Sequence, residues 1–162
     1  MNDISVSVTE DNGLIECKID GQKNIYEQTP EEIKKNLETI NTEAKKKYDE
    51  CIQKLQDGSM SWFPCGFADL YLDADHAKII KKTALKALNA QAGRYGDGLE
   101  WVYGSLLFRE AKPYKQRKTI EVDFMPLHSH QELNLKEEVL SAIRNQIALV
   151  FGLGSRVETM LD

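Results

Sequence analysis

Residues 29–57 constrain this chain more than any other stretch. Thr29-Pro30-Glu31-Glu32 reads as a helix start, with Thr29 as cap, Pro30 at the first helical position and Glu32 as the capping-box partner. Apolar residues then recur at Ile33, Leu37, Ile40, Ala44, Tyr48, Ile52 and Leu55, in steps of three or four, until Gly58 stops the run. At 1.5 Å per residue this predicts a rod of roughly 39 Å whose other face is densely charged. Such a stripe must be covered, either by the rest of the chain or by a copy of itself.

The residues before the rod read as a hairpin. Ile4, Val6 and Val8 alternate with polar residues, Asp11-Asn12-Gly13 supplies turn chemistry, and Leu14, Ile15, Cys17 and Ile19 form the return strand. An isolated hairpin is marginal in water, so this one must pack on something.

From Trp62 onward the pattern is strand, helix, strand, strand, helix, strand. Ala68, Leu70 and Leu72 alternate with Asp69, Tyr71 and Asp73. Asp75 caps a helix with apolar Ala77, Ile80, Ala84 and Leu88 and a row of Lys78, Lys82 and Lys86, broken at Gly93, Gly96 and Gly98. Trp101–Arg109 and Thr119–Leu127 read as two strands joined by a polar loop. Asn134 with Glu137 marks a second helix, which buries Leu135, Val139, Leu140, Ile143, Ile147 and Val150 before Gly152 stops it. Arg156–Leu161 reads as a last short strand. The order predicts an α+β, ferredoxin-like β-α-β-β-α-β antiparallel sheet over 59–162, preceded by the hairpin and long helix of 1–58. That fold hosts many unrelated functions and names none.

Composition narrows the setting. The longest apolar run, Ile147–Phe151, falls far short of a membrane span, and Met1-Asn2-Asp3-Ile4 has no secretory character. The expectation is a cytoplasmic protein without a membrane partner. Cys17, Cys51 and Cys65 are odd in number and widely spaced, which argues against a disulfide framework or a thiolate zinc site. Net charge is −5, yet residues 76–118 carry 10 Lys/Arg against 3 Asp/Glu. An acidic chain with one basic segment can hold a local anion site without being a general nucleic-acid binder.

Candidate chemistry is sparse. His128-Ser129-His130 would place two imidazoles on one side of a strand, with Asp73, Asp75 and His76 as oxygen and nitrogen donors nearby, the pattern for a metal-dependent hydrolase. The simpler reading is an exposed turn between strand and helix. Cys65 has no signature pairing it with His76, His128 or His130 as a nucleophile. Asp69, Asp73 and Asp75 read as a strand's wet face and a helix cap. Gly93-Arg94-Tyr95-Gly96-Asp97-Gly98 follows a helix and precedes a strand, the reverse of a phosphate-cradling loop. No catalytic residue, metal ligand or cofactor is assigned, and the balance favours binding over catalysis.

The basic segment supplies the ligand-binding candidates: Arg94, Trp101, Tyr103, Arg109, Lys112, Tyr114, Lys115 and Arg117. Cations beside aromatic faces suit a nucleotide, a nucleic acid or another phosphate-bearing ligand, with Trp101 and Tyr103 as stacking platforms on the sheet's open face. The competing reading packs those aromatics beneath the long helix.

Cys65-Gly66-Phe67-Ala68 opens a strand, Tyr95-Gly96-Asp97-Gly98 leads into Trp101-Val102, and Gly154-Ser155-Arg156 precedes a terminal Leu161-Asp162. Over residues 65–162 this order resembles a group of small tailed-bacteriophage proteins that share a C-G-F-A start, a Y-G-G turn before an aromatic strand and an S-R-hydrophobic-D end. The chain departs from the group at Asp97, in the extra Lys112–Leu127 loop and strand, and in three residues inserted before Leu161-Asp162. The resemblance implies a viral accessory or structural origin, with the host cytoplasm as location, and no catalytic residues. With the long stripe, it leads to the expectation of a non-catalytic assembly protein, a homo-oligomer or a binder of host or viral protein.

Overall fold

A computed structural model describes residues 6–11, 14–19, 25–72, 91–92, 99–111 and 119–161. Helix α1, Pro30–Asp57, starts where its chemistry dictates. The Thr29 hydroxyl oxygen accepts from the Glu32 backbone N–H at 3.2 Å, Pro30 opens the first turn, and Gly58 closes the helix at φ +82°. Ile33, Leu37, Ile40, Ala44, Cys51 and Leu55 are buried, and Tyr48 and Ile52 pack at the margins of that stripe.

The cover comes from the same chain. Helix α2, Leu133–Phe151, lies against α1 and buries Leu135, Val139, Leu140, Ile143 and Ile147. Gln28 Nε2 donates to the Val150 carbonyl at 2.8 Å, and Lys47 pairs with Glu138 at 3.1 Å. The start of α1 therefore meets the end of α2, and the two helices are antiparallel. Helix α2 begins one residue before the expected Asn134. Its N-cap residue, Glu132, makes no side-chain capping bond, because the carboxylate accepts from Gln131 N–H and contacts His130 instead.

The strands are β1 (Val6–Asp11), β2 (Leu14–Ile19), β3 (Gly66–Leu72), β4 (Gln91–Ala92), β5 (Leu99–Tyr103), β6 (Leu106–Ala111), β7 (Thr119–Phe124) and β8 (Ser155–Leu161). They lie in the order β1-β2-β8-β3-β7-β6-β5-β4, and each pairing among the described residues is antiparallel. The chain is thus an α+β protein, an antiparallel sheet packed with two helices. Alternate residues Leu70 and Leu72, Ile120, Val122 and Phe124, and Leu106 and Phe108 point into one core with the helix stripes. Phe67, Asp69, Tyr71, Leu107, Arg109, Glu121, Asp123, Arg156, Glu158 and Met160 alternate with them and form the outer face. Segments 1–58 and 59–162 share that core.

Two expected elements are corrected. Trp101–Arg109 is not one strand: Gly104 turns at φ +59°, and β5 folds back on β6 with Tyr103 opposite Leu106. Ser105 N–H donates to Asn41 Oδ1 of α1 at 2.9 Å, so the turn is docked on the long helix. The strand expected to reach Leu127 ends at Phe124, since Pro126 cannot continue the ladder and Met125–Ser129 coil into a 3₁₀ turn. The helix expected from Asp75 to Leu88 lies outside the described residues. Among those described, no helix is long and apolar enough to cross a membrane.

Candidate functional site

The outer face of β3 carries the densest polar chemistry. Asp69 stands opposite Glu158 of β8 and near Asp123 of β7, with Tyr71 two residues on along the same face of β3, its hydroxyl favouring the ionised carboxylate. Burial pushes the Asp69 carboxyl above its usual range, opposed by that hydroxyl. Burial and then the Asp69 charge push the Tyr71 hydroxyl up to about 12. Glu121 is also raised, chiefly by burial, although Arg109 pairs with it at 3.3 Å and pulls the other way. Arg156 forms an ion pair with Glu158 at 2.8 Å and lies 5.9 Å from the centre of the Tyr71 ring.

At the start of β3 this face opens into a cleft of about 240 Å³, walled by Phe67, Asp69, Asp123, Leu127, His128 and Lys136. His128 Nε2 is hydrogen-bonded to Asp123 Oδ2. Lys136 Nζ donates to the Gly66 carbonyl at 2.9 Å and sits 5.3 Å from the Phe67 ring centre. A histidine held by an aspartate is half of a nucleophile-activating array, but the described lining holds no serine, threonine or cysteine for it to activate. The cleft presents an apolar wall, two carboxylates, an imidazole and an ammonium group.

Beside the cleft, large apolar side chains reach solvent. Phe67 is 52% exposed and its cross-strand partner Met160 65%; Leu161, opposite Gly66, is 66% exposed. Trp62 at 52% and Phe63 at 74% lie in the segment entering β3, which passes through a cis Phe63–Pro64 bond. That segment is fastened by Leu133 N–H donating to the Pro64 carbonyl and Gly66 N–H donating to the Gln131 carbonyl.

The two histidines, on the turn between strand and helix, face different neighbours. His128 turns to Asp123, whereas His130 Nε2 meets the Tyr48 hydroxyl at 2.7 Å and its Nδ1 meets Glu132 at 3.2 Å. A neutral imidazole with its proton on Nδ1 would donate to Glu132 and accept from Tyr48. This relay, with the Tyr48 ring edge-on to Phe124 at 5.9 Å, fastens α1 to the loop before α2. Among the described residues no group of three His, Cys, Asp or Glu is placed to hold a metal. Asp73, Asp75 and His76 lie outside them.

Of the ligand-binding candidates, Tyr103 packs against the core and is no open-face platform; the register with Leu106 sets its side. Trp101 pairs in the backbone ladder with Phe108. Arg109 is on the outer face, beside Glu121. Arg94, Lys112, Tyr114, Lys115 and Arg117 lie outside the described residues. Cys65 is half-buried and its backbone bridges to Glu132, while Cys51 is buried in α1 with its thiol pushed up by burial. Phe67, Asp123 and Lys136 are site residues that sequence reasoning missed. The available signal was parity: Phe67 and Tyr71 share Asp69's side of the strand.

No family model, curated protein or solved structure matches this chain.

Proposed function

We propose that this chain is a non-catalytic accessory or assembly protein that works through protein–protein contact, as a homo-oligomer. One observation carries the reading: Phe67 and its cross-strand partner Met160 are exposed side by side on the outer face, with Leu161 exposed at the end of β8 and Trp62 and Phe63 exposed in the segment entering β3. Scattered surface apolar residues are ordinary; a group of large ones beside a polar cleft is how contact surfaces are built, with an apolar centre and a polar rim. The long helix stripe no longer supports assembly, because α2 and the sheet cover it. The contact is assigned to the sheet end instead.

The bacteriophage origin and the host cytoplasm rest on the sequence resemblance. The same reading takes the core as ferredoxin-like: β8-β3-β7-β6 are antiparallel neighbours, with β3 and β7 central and α2 linking β7 to β8. A nucleotide-binding role is disfavoured on the described outer face, where Asp69, Glu121, Asp123 and Glu158 surround Arg109 and repel phosphate.

Sedimentation tests the contact. The wild-type chain is expected to exceed its 18.4 kDa monomer mass at roughly 100 µM, a concentration where even weak association shows. Phe67→Glu, exposed and therefore harmless to folding, is expected to return it to the monomer. Identical sedimentation of the two chains would contradict the reading.

A further inference from the structure

We infer that the free edge of β8 pairs with β8 of a second copy, antiparallel about a two-fold axis at Thr159. The inference rests on the contact reading and gives it a register.

On one side, β8 is matched residue for residue by β3, from Ser155 opposite Leu72 to Leu161 opposite Gly66. On the other side, β2 meets it only at Ser155, through Ile15, and runs on toward Ile19 beyond the start of β8. Val157–Leu161 therefore has no second strand partner among the described residues. Alternate peptide N–H and C=O groups there face outward, and Thr159, Met160 and Leu161 are exposed. Proteins usually guard such an edge with lysine, proline or a bulge. Val157-Glu158-Thr159-Met160-Leu161 holds neither lysine nor proline, and its one charge, Glu158, is paired with Arg156 along the strand at 2.8 Å.

The edge is self-complementary in one register. A two-fold axis normal to the sheet keeps each face on its own side, so residues of equal parity must meet. Centred on Glu158, it sets two carboxylates against each other. Centred on Val157, it brings Thr159 of the partner subunit to the place beside Ser155 that β2 holds. Centred on Thr159, it sets threonine against threonine, Val157 against the partner's Leu161, and Glu158 against the partner's Met160. That register covers the exposed Leu161 with an apolar side chain and leaves both Arg156–Glu158 pairs intact. A pair of five-residue strands alone falls short of the roughly 1,200 Å² of a stable interface. The pairing is accordingly a weak, concentration-dependent one.

The test uses the full chain carrying Thr159→Cys or Thr159→Lys, both at an exposed position. Opposed residues of an antiparallel pair lie about 4.5–5.5 Å apart between Cα atoms, within disulfide reach. Under mild oxidation Thr159→Cys is expected to run mainly as a reducible covalent dimer, while wild type, with its native cysteines, does not. Thr159→Lys sets two ammonium groups face to face and is expected to weaken association at least about tenfold. If wild type associates while Thr159→Cys stays uncross-linked and Thr159→Lys keeps its mass, the edge pairing is wrong and the contact reading stands. A wild type that remains monomeric throughout overturns both. Association only with an extended strand of a different protein overturns the self-pairing.

Discussion

Replacing Phe124 by alanine is expected to lower the unfolding free energy by about 3–5 kcal/mol, read as a shift of the urea midpoint at unchanged slope. Phe124 ends β7, is 1% exposed, and meets the Tyr48 ring edge-on at 5.9 Å. It is therefore the wedge between sheet and long helix. Truncation removes the transfer free energy of a whole ring and leaves a cavity that α1, held by Lys47–Glu138 and by Asn41 at the β5–β6 turn, cannot close. Against a typical stability of about 5–15 kcal/mol the loss is large. A change below about 1 kcal/mol would mean that α1 does not lean on β7.

Gly66→Ala is expected to destabilise by about 1–3 kcal/mol through overpacking, and to disturb the sheet end more than its size suggests. A Cβ at position 66 would lie 2.5 Å from the Met160 carbonyl oxygen and 3.3 Å from a Leu133 methyl. The first neighbour is backbone and cannot rotate away, so β3 and β8 must separate where Phe67 meets Met160. The same substitution loosens the Gly66 carbonyl bond from Lys136 and the Gly66 N–H bond to Gln131. Loss of association together with the stability loss is the expected pair of results, measured by sedimentation and thermal unfolding. A Gly66→Ala chain as stable as wild type would place β8 differently.

What the sequence made legible were the features written in local chemistry. Thr29, Pro30 and Gly58 bound α1, and the three- and four-residue steps named its buried stripe almost completely; Cys51 was the buried residue they omitted. Alternation exposed the inward set of β3, and Gly152 stopped α2 where expected. Parity fails where a turn interrupts a strand: nothing in Val102-Tyr103-Gly104-Ser105-Leu106 separates a kinked strand from a tight hairpin until Asn41 is seen docking on the turn. The histidines illustrate the other limit. Their spacing allowed one shared ligand, but the 3₁₀ turn after Pro126 sends one to Asp123 and the other to Tyr48, 82 residues away in sequence. The contact site was hidden for a similar reason. Phe67 lies far in the chain from Met160 and Leu161, and only the β3–β8 register brings it to them.

Amide hydrogen exchange as a function of protein concentration tests most directly where this chain is covered by itself and where by a neighbour. Amides in the Ile33–Leu55 part of α1 are expected to be equally protected in dilute and concentrated solution, because α2 and β7 cover that stripe within one chain. Amides of Val157–Leu161 are expected to gain protection as concentration rises. Protection of α1 that depends on concentration, or a β8 indifferent to it, would contradict the account.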